Sequence, residues 1–395
     1  MQILRHKAKP SKKLFIFIGL LATFLSACKP IPGITSQESE HTLEMSTQTA
    51  TPESFTLPAP LFFLQNGQIW RMDTDANSTH QITHENNPID SFDISINGEF
   101  VYTSNNHLLT CNMDGSNQQV LRAGPKLPLM TDKLESLNNI EYITSAIHSP
   151  LWSPDGKRIA FIENGLQIMN LETGQSNMVW EHLLTSSAPI LFESILSWSP
   201  EGKHLLVSEY TYPIEKEYDR AISLLQLGGS MSRNISSIFG GTFAWNPVES
   251  ELFLANSKFG TEHSLMRCTI ETVSCQLIAE FVPARWYFFY AHPFFRTDDE
   301  RLLVFMGSAN DPINPPEKFN LISLQPNGYG RNELRNDRYP IETTLWAPDG
   351  QGVLVHLSQD INEAKAGSII WLSTNESPVV VLPLKEFSNL RWGVE

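Results

Sequence analysis

The sequence predicts an all-β fold built from repeated four-stranded units, a β-propeller. Three observations predict it. A short phrase of Trp, Pro and Gly recurs along the chain, its clearest copies lie 46 or 47 residues from the next, and apolar runs typical of strands follow each copy. A period in the mid-forties with four short strands per unit is typical of a propeller blade.

The phrase reads as strand, tight turn, strand. Its clearest copies start at Trp152, Trp198 and Trp346, each followed by Ser or Ala, Pro, an acidic residue and Gly. Proline presets the backbone angle of the turn and Gly suits its last position, while the apolar run that follows suits a buried strand. Weaker copies lie at Trp245 and Ile94. A distorted copy is expected at Ala291-His292-Pro293, where Ala291 would stand at the position that Trp takes in the clear copies; we call this position the anchor of the blade.

Blade counting gives seven, with six as the alternative if the unit at Ala291 is not a blade. Residues 61–64 and 68–72 look like second and third strands with no first strand before them. Residues 389–393 look like a first strand with nothing after it. We therefore expect the C-terminal strand to enter the N-terminal blade and close the ring.

The W-S-P-D-G-K phrase resembles the WD40-like (PD40) β-propeller repeats of the TolB family and of prolyl-oligopeptidase-like proteins. The resemblance covers residues 58–395 and implies a propeller domain over that range. The TolB propeller has six blades, so seven would depart from that pattern. The phrase implies nothing about a ligand.

The N-terminus reads as an export signal. Five basic residues precede the apolar run 14–25, which is shorter than the roughly 20 residues of a membrane-spanning helix and fits the core of a signal peptide. Leu25-Ser26-Ala27-Cys28 resembles the lipobox of bacterial lipoproteins, which implies cleavage before Cys28 and acylation of its thiol. The prediction is a signal peptide over 1–27, a lipidated flexible tether over 28–57 rich in Ser, Thr and Glu, and a location in the cell envelope outside the cytoplasm.

The negative net charge of the chain disfavours two classes of binding partner. The formal net charge is −15, and it becomes −20 without the five basic residues of 1–27. An acidic protein repels nucleic acid and anionic lipid headgroups, so we expect neither to bind, and membrane contact is expected only through the N-terminal lipid. The chain is expected to be a monomer.

Cysteine spacing predicts one disulfide. Cys268 and Cys275 flank a short turn between two strand-like runs, and an exported protein meets oxidising conditions. Two buried free thiols are the alternative. Cys111 is left over and is expected in the core, and the spacing of the cysteines matches no zinc site.

Loop lengths predict one functional face. The long segments fall between second and third strands and between blades, which places them at the same end of a propeller, and long loops on a rigid scaffold concentrate binding residues. Acidic and aromatic residues there suit a cationic ligand or a peptide. The candidate ligand-face residues are Tyr210, Tyr212, Glu215, Glu217, Asp219, Trp286, Tyr290 and Asp311.

Catalytic motifs are missing from the sequence. It contains no G-x-S-x-G elbow, no H-E-x-x-H, no P-loop and no dinucleotide fingerprint, so no catalytic residue, metal or cofactor is predicted. The favoured function is a non-catalytic, membrane-tethered scaffold that binds a protein, peptide or glycan. The alternative is an exported propeller enzyme, a lyase or hydrolase with its site in the channel mouth.

Overall fold

The protein is described by a computed structural model covering residues 55–394 except 128–136, 185–187, 213–219, 229–231, 237–240, 249, 257–264, 273, 279–285, 313 and 359–366. Within these residues the strands form seven four-stranded antiparallel sheets. This confirms an all-β propeller of seven blades rather than six. The expected lipobox and Cys28 lie outside the described residues. No described helix has the length and hydropathy needed to cross a membrane.

Blades 2 to 7 are consecutive meanders, each numbered from its inner strand outward. Blade 1 is composite, because C-terminal strand β28 pairs with β1, with Trp392 opposite Leu61. The strands of blades 1 to 4 are β28 Ser388–Trp392, β1 Leu61–Gln65, β2 Gln68–Met72 and β3 Thr79–Gln81; β4 Ile89–Ile94, β5 Glu99–Ser104, β6 His107–Asn112 and β7 Gln119–Ala123; β8 His148–Trp152, β9 Arg158–Ile162, β10 Gly165–Asn170 and β11 Gln175–Glu181; and β12 Ile190–Trp198, β13 His204–Thr211, β14 Arg220–Gln226 and β15 Ser232–Ser236.

The remaining blades follow the same plan, and a single described helix, α1, interrupts the series between β7 and β8. It spans Leu137–Ser145. The strands of blades 5 to 7 are β16 Gly241–Asn246, β17 Glu251–Asn256, β18 Leu265–Thr269 and β19 Ser274–Leu277; β20 Tyr287–Arg296, β21 Arg301–Ala309, β22 Asn320–Leu324 and β23 Asn332–Glu333; and β24 Ile341–Trp346, β25 Gly352–Leu357, β26 Ile369–Ser373 and β27 Val380–Leu382.

Successive antiparallel strands put their connections at alternate ends of a blade. We call the end with the first-to-second and third-to-fourth connections the turn face, and the opposite end the loop face. The loop face carries the connections between blades, including the longest, residues 124–147, which contains α1. Blades 1 to 3 join their second and third strands with two residues each, so the long connections of this kind belong to blades 4 to 7.

The core lies between blades rather than within them. Each of the seven junctions between neighbouring blades encloses one cluster of buried apolar side chains, and an eighth cluster lies under α1. The junction of blades 7 and 1 is filled in the same way, with Trp371 of blade 7 beside Leu61 and Phe63 of blade 1. Hydrophobic burial of this kind is the main stabilising term in the fold.

Four of the recurring tryptophans fasten their blade to the one before it. The indole Nε1 of Trp346 donates to the carbonyl of His292 in blade 6 (3.0 Å), and that of Trp392 donates to the carbonyl of Trp346 in blade 7 (2.7 Å). Trp198 and Trp245 make the corresponding bonds to inner strands β8 and β12. The repeated geometry explains why a residue with both an apolar body and a donor recurs at this position.

The expected anchor of blade 6 at Ala291 is wrong. Phe295 pairs with Leu302 in the same register as Trp152 with Ile159, so Phe295 takes the place of the tryptophans. The turn that follows, Thr297 to Glu300, has neither Pro nor Gly. The phrase is therefore unrecognisable in blade 6. Ala291 lies 46 residues after Trp245, which matches the repeat period by coincidence.

Candidate functional site

Six of the seven inner strands carry a β-bulge near the loop face or in mid-strand. There the inner strand has one more residue than the second strand opposite, and of the described inner strands only β16 of blade 5 pairs without a shift. Bulges occur often beside functional sites because they re-aim side chains without disturbing the rest of the ladder. Each of the six strands has a bulge with a polar residue, and we call this set the bulge residues: Asn389, Asp90, Ser149, Glu193, His292 and Glu342 in blades 1, 2, 3, 4, 6 and 7.

None of the bulge residues is fully buried, and three of them are carboxylates. Inner strands border the central channel of a propeller, so these residues lie around one opening. With carboxylates at three of its six positions, this ring of bulge residues is acidic. A polar residue a few positions before the anchor residue of the phrase, which is aromatic in the other five of these blades and Ile94 in blade 2, is the sequence signal that marks them. It is easily missed because a bulge is visible only when two strands are aligned.

The three carboxylates differ in their neighbours. Glu193 accepts from Ser208 Oγ (2.7 Å) and pairs with Arg220 Nη2 (2.8 Å), so its charge is compensated. Glu342 lies 3.3 Å from His356 Nδ1, with its side chain 55% exposed. Among the described residues, the Asp90 carboxylate forms no hydrogen bond or ion pair.

The Asp90 side chain reaches water, yet the surrounding protein removes part of its hydration and raises its pKa above the ordinary value. The cause is desolvation, which disfavours the charged form. A carboxylate that has lost part of its water and gained no partner gains most from a cation brought by a ligand. Asp90 is therefore the bulge residue best suited to recognise an incoming positive charge.

Three bulge residues have left-handed backbone conformations, with φ of 54° at Ser149 and 52° at His292 and Asn389. Non-glycine residues rarely adopt such angles, and where they do the surroundings hold them. The amide of His292 donates to Thr242 Oγ1 (2.6 Å), and the Asn389 side chain donates to the carbonyl of Phe92 (3.1 Å). Contacts to neighbouring blades thus fix these two bulges in place.

Three histidines on or near the inner strands are held neutral. Burial lowers the pKa of His148, His182 and His292 to about 4 in each case. His182 Nδ1 accepts from the amide of Phe192 (3.2 Å), while its Nε2 is buried without a hydrogen bond among the described residues. At neutral pH these imidazoles add no positive charge to the opening.

The sequence-predicted ligand-face residues that the structure describes lie in two groups, on blades 4 and 6. Tyr210 and Tyr212 are buried beneath α1, where they pack with Leu191 and against Ile140 and Ile143. The reason is that α1, which lies in the long connection between blades 2 and 3, covers them. They contribute packing to this face rather than an open surface.

The other predicted residues that the structure describes all belong to blade 6, at different depths. Tyr290 is buried in the junction of blades 5 and 6, whereas Trp286 is 50% exposed just before β20. Asp311 accepts from the Asn314 amide (2.6 Å) on the loop face of blade 6. Glu215, Glu217 and Asp219 lie outside the described residues.

The described cysteines lie in a disulfide and in the core. Cys268 and Cys275 form a disulfide across the β18–β19 hairpin of blade 5, and Cys111 is a buried free thiol whose pKa burial raises to about 12. Within the described part of the chain, no group of three or more His, Cys, Asp and Glu side chains is arranged to hold a metal ion.

Comparison with known proteins identifies the fold. No protein-family model matches the sequence, and no curated protein matches it. Among solved structures, an oligogalacturonate lyase in complex with manganese matches with a TM-score of 0.51 and 10% identity over 82% of this chain and 84% of the lyase. A prolyl endopeptidase matches with a TM-score of 0.50 and 9% identity, and this chain spans about half of its length (51%).

TolB from Acinetobacter baumannii matches more distantly, with a TM-score of 0.41 and 14% identity over 83% of this chain and 79% of TolB. At such identities a structural likeness shows a shared fold and leaves activity open. The chain is thus similar to β-propellers whose functions differ widely.

Proposed function

We propose that this protein is a membrane-tethered, extracytoplasmic scaffold that binds a cationic segment of a protein or peptide at the loop face of its propeller. The observation that carries the proposal is Asp90, a partly desolvated carboxylate at the channel opening without a partner among the described residues. A ligand ammonium or guanidinium would supply the missing partner.

The surroundings of Asp90 support a cationic ligand. Glu342 lies two blades away around the ring, with Ser388 and Asn389 of blade 1 between them. The neutral histidines do not repel a cation at neutral pH, and the net charge of the chain is −15. The long-range field therefore also steers cations toward the protein.

Trp286 and Tyr287 add an aromatic surface beside this opening. They are 50% and 39% exposed and lie where the chain enters β20 from the loop face. Exposed aromatic rings bind apolar side chains and the faces of guanidinium groups. A peptide that carries Lys or Arg next to an apolar residue combines both features.

The point at which the chain enters the propeller is compatible with an open loop face. The amide of Leu57 donates to the carbonyl of Thr74 (2.8 Å), which lies in the connection between β2 and β3 on the turn face. The described chain therefore starts at the turn face.

Binding of short peptides tests the proposal. We expect full-length protein in detergent to bind Lys-Lys-Lys measurably by isothermal titration calorimetry and to bind Ser-Ser-Ser much more weakly, both peptides being N-acetylated and C-amidated so that only the lysine side chains carry charge. The variant Asp90→Asn should weaken Lys-Lys-Lys binding about 10-fold, as expected for the loss of a charge-assisted hydrogen bond.

The matched control is Glu172→Gln, which removes the same formal charge from an exposed side chain on the turn face. It should leave the affinity within about twofold of that of the unmodified protein. Equal weakening by the two variants would show that net charge alone attracts the peptide, and unchanged affinity in Asp90→Asn would rule out the proposed site.

A further inference from the structure

A second concave site lies on the turn face between blades 5 and 6, remote from the bulge residues. Its volume is about 400 Å³, within the range of small-molecule sites. One wall comes from β18 of blade 5, and the others come from the two turns of blade 6. The cleft is lined by Arg267, Asp299, Glu300, Arg301, Gln325, Pro326 and Asn327.

The walls of the cleft are held rigidly. Arg301 Nη2 donates to the carbonyl of Gly330 (2.6 Å) and to the carbonyl and hydroxyl of Ser323 (3.2 and 3.0 Å), which ties the two turns of blade 6 together. Gly328 approaches Ile278 of blade 5 so closely that a Cβ there would lie 3.1 Å from its backbone. The site is therefore formed before any ligand arrives.

Two of the four charges in the cleft are already compensated. Arg267 donates from Nε to Glu251 Oε1 (2.6 Å), and Glu251 itself is buried. Asp299 accepts from both Nε (2.8 Å) and Nη2 (2.5 Å) of Arg296, and these bonds hold the pKa of Asp299 below its ordinary value. Neither pair requires a charge from a ligand.

One carboxylate and one guanidinium form no ion pair with a described residue, although the charge of Arg301 helps to lower the pKa of the neighbouring Asp299. Among the described residues, Glu300 forms no hydrogen bond or ion pair, and Arg301 uses Nη2 alone, which leaves its Nη1 and Nε without hydrogen-bond partners. The two residues are adjacent in sequence, yet they do not pair with each other. The left-handed backbone of Glu300, with φ of 52°, turns the chain at this point.

We infer that this cleft binds a small zwitterion, a molecule with one ammonium and one carboxylate, as in a free amino acid or a short peptide. Glu300 receives the ammonium and Arg301 the carboxylate. The side-chain amides of Gln325 and Asn327 line the space around them and supply neutral donors and acceptors. The inference stands apart from the loop-face proposal, because no residue is shared between the two sites.

Calorimetry with glycine and with L-alanyl-L-alanine tests the inference, using full-length protein in detergent. Both probes carry the two charges, and the tighter binder tells whether the site suits a free amino acid or a dipeptide. N-acetylglycine, which lacks the ammonium, and glycine methyl ester, which lacks the carboxylate, should each bind at least about 10-fold more weakly.

Two variants locate the binding. Glu300→Gln should weaken zwitterion binding about 10-fold without affecting folding, because the exposed carboxylate forms no hydrogen bond or ion pair with a described residue. The matched control is Glu386→Gln, another exposed glutamate in a left-handed conformation but on the loop face, which should leave binding unchanged.

Arg301 is not the first choice for substitution, since its loss would release both turns. Equal binding of the blocked and free probes, no heat from either zwitterion up to concentrations of about 10 mM, or equal binding by Glu300→Gln would each overturn the inference. Asp90→Asn should not change zwitterion binding, so failure here and failure of the loop-face proposal are distinguishable.

Discussion

Replacing Arg391 with alanine should destabilise the propeller by leaving the buried Asp93 carboxylate without a counter-charge. Asp93 lies on the inner strand of blade 2 and joins three blades. Its Oδ1 accepts from Arg391 Nε of blade 1 (3.1 Å), and its Oδ2 accepts from the amide of Trp152 in blade 3 (2.9 Å). Burial raises the pKa of Asp93 despite the opposing effect of Arg391.

The size of the effect follows from exposure. Removing one partner of a fully buried ion pair costs roughly 3–5 kcal/mol. The Asp93 side chain is 11% exposed, but that of Arg391 is 38% exposed, so water already weakens the pair. We therefore expect Arg391→Ala to lower the free energy of unfolding by about 2–3 kcal/mol. Asp93→Asn keeps an acceptor for the Trp152 amide and should cost less, about 1 kcal/mol.

Urea unfolding of the two single variants and of the double variant that combines Asp93→Asn with Arg391→Ala measures these values. The double variant should recover most of the loss seen in Arg391→Ala, because no charge is then buried. The deficit of Arg391→Ala should be largest at neutral pH and shrink as the pH falls toward about 4, since an Asp with a raised pKa in the folded state is tolerated best when protonated. A deficit below about 0.5 kcal/mol, or one that does not change with pH, would refute this reasoning.

Three further predictions concern pH, closure and anchoring. Burial lowers the pKa of His148, His182 and His292 to about 4, so the unfolded chain takes up protons at these residues at a higher pH than the folded protein does. The free energy of unfolding should therefore be unaffected by them above pH 6.5 and should fall as the pH drops toward 4, by up to about 3 kcal/mol for each histidine. Urea unfolding at a series of pH values measures this, and a flat profile would contradict it. Deleting residues 388–395 removes the inner strand of blade 1 and should lower the melting temperature, and an unchanged value would end the closure hypothesis. Cys28→Ala should move the protein from the membrane fraction to the soluble fraction, and continued membrane retention would exclude the proposed lipid anchor.

The blades were predictable because their signal is local. Pro presets the turn angle and Gly suits the turn end within a few residues, and the Trp that contacts the preceding blade stands at a fixed place beside that turn, so the phrase is recognisable around Trp152, Trp198 and Trp346. Blade 6 shows the limit. Its turn lacks Pro and Gly and its anchor is Phe295, so the pattern that identifies the other blades is missing there.

The candidate site was less predictable because its signals are not local. A bulge at Asp90 or Glu342 depends on the register between two strands, which a single strand does not reveal. The burial of Tyr210 depends on α1, a nine-residue helix from a segment that carries no strong helical pattern. From sequence alone, an aromatic residue near the end of a loop is equally consistent with packing and with binding, because the segment that covers it is not known.

Because of the bulges, side chains at the loop face can change without a change in strand pairing or interblade packing. Each bulge residue is an extra member of its strand, so a different side chain there leaves the pairing of both strands, the interblade clusters and the Trp bonds in place. Positions 90 and 342, whose side chains are exposed, can therefore exchange acidic for basic, aromatic or neutral side chains at little cost to stability, whereas Glu193 is held by its ion pair with Arg220. A family of such propellers could keep one framework while its members diverge in what they recognise, and the same positions are the natural starting points for redirecting this one to a new ligand.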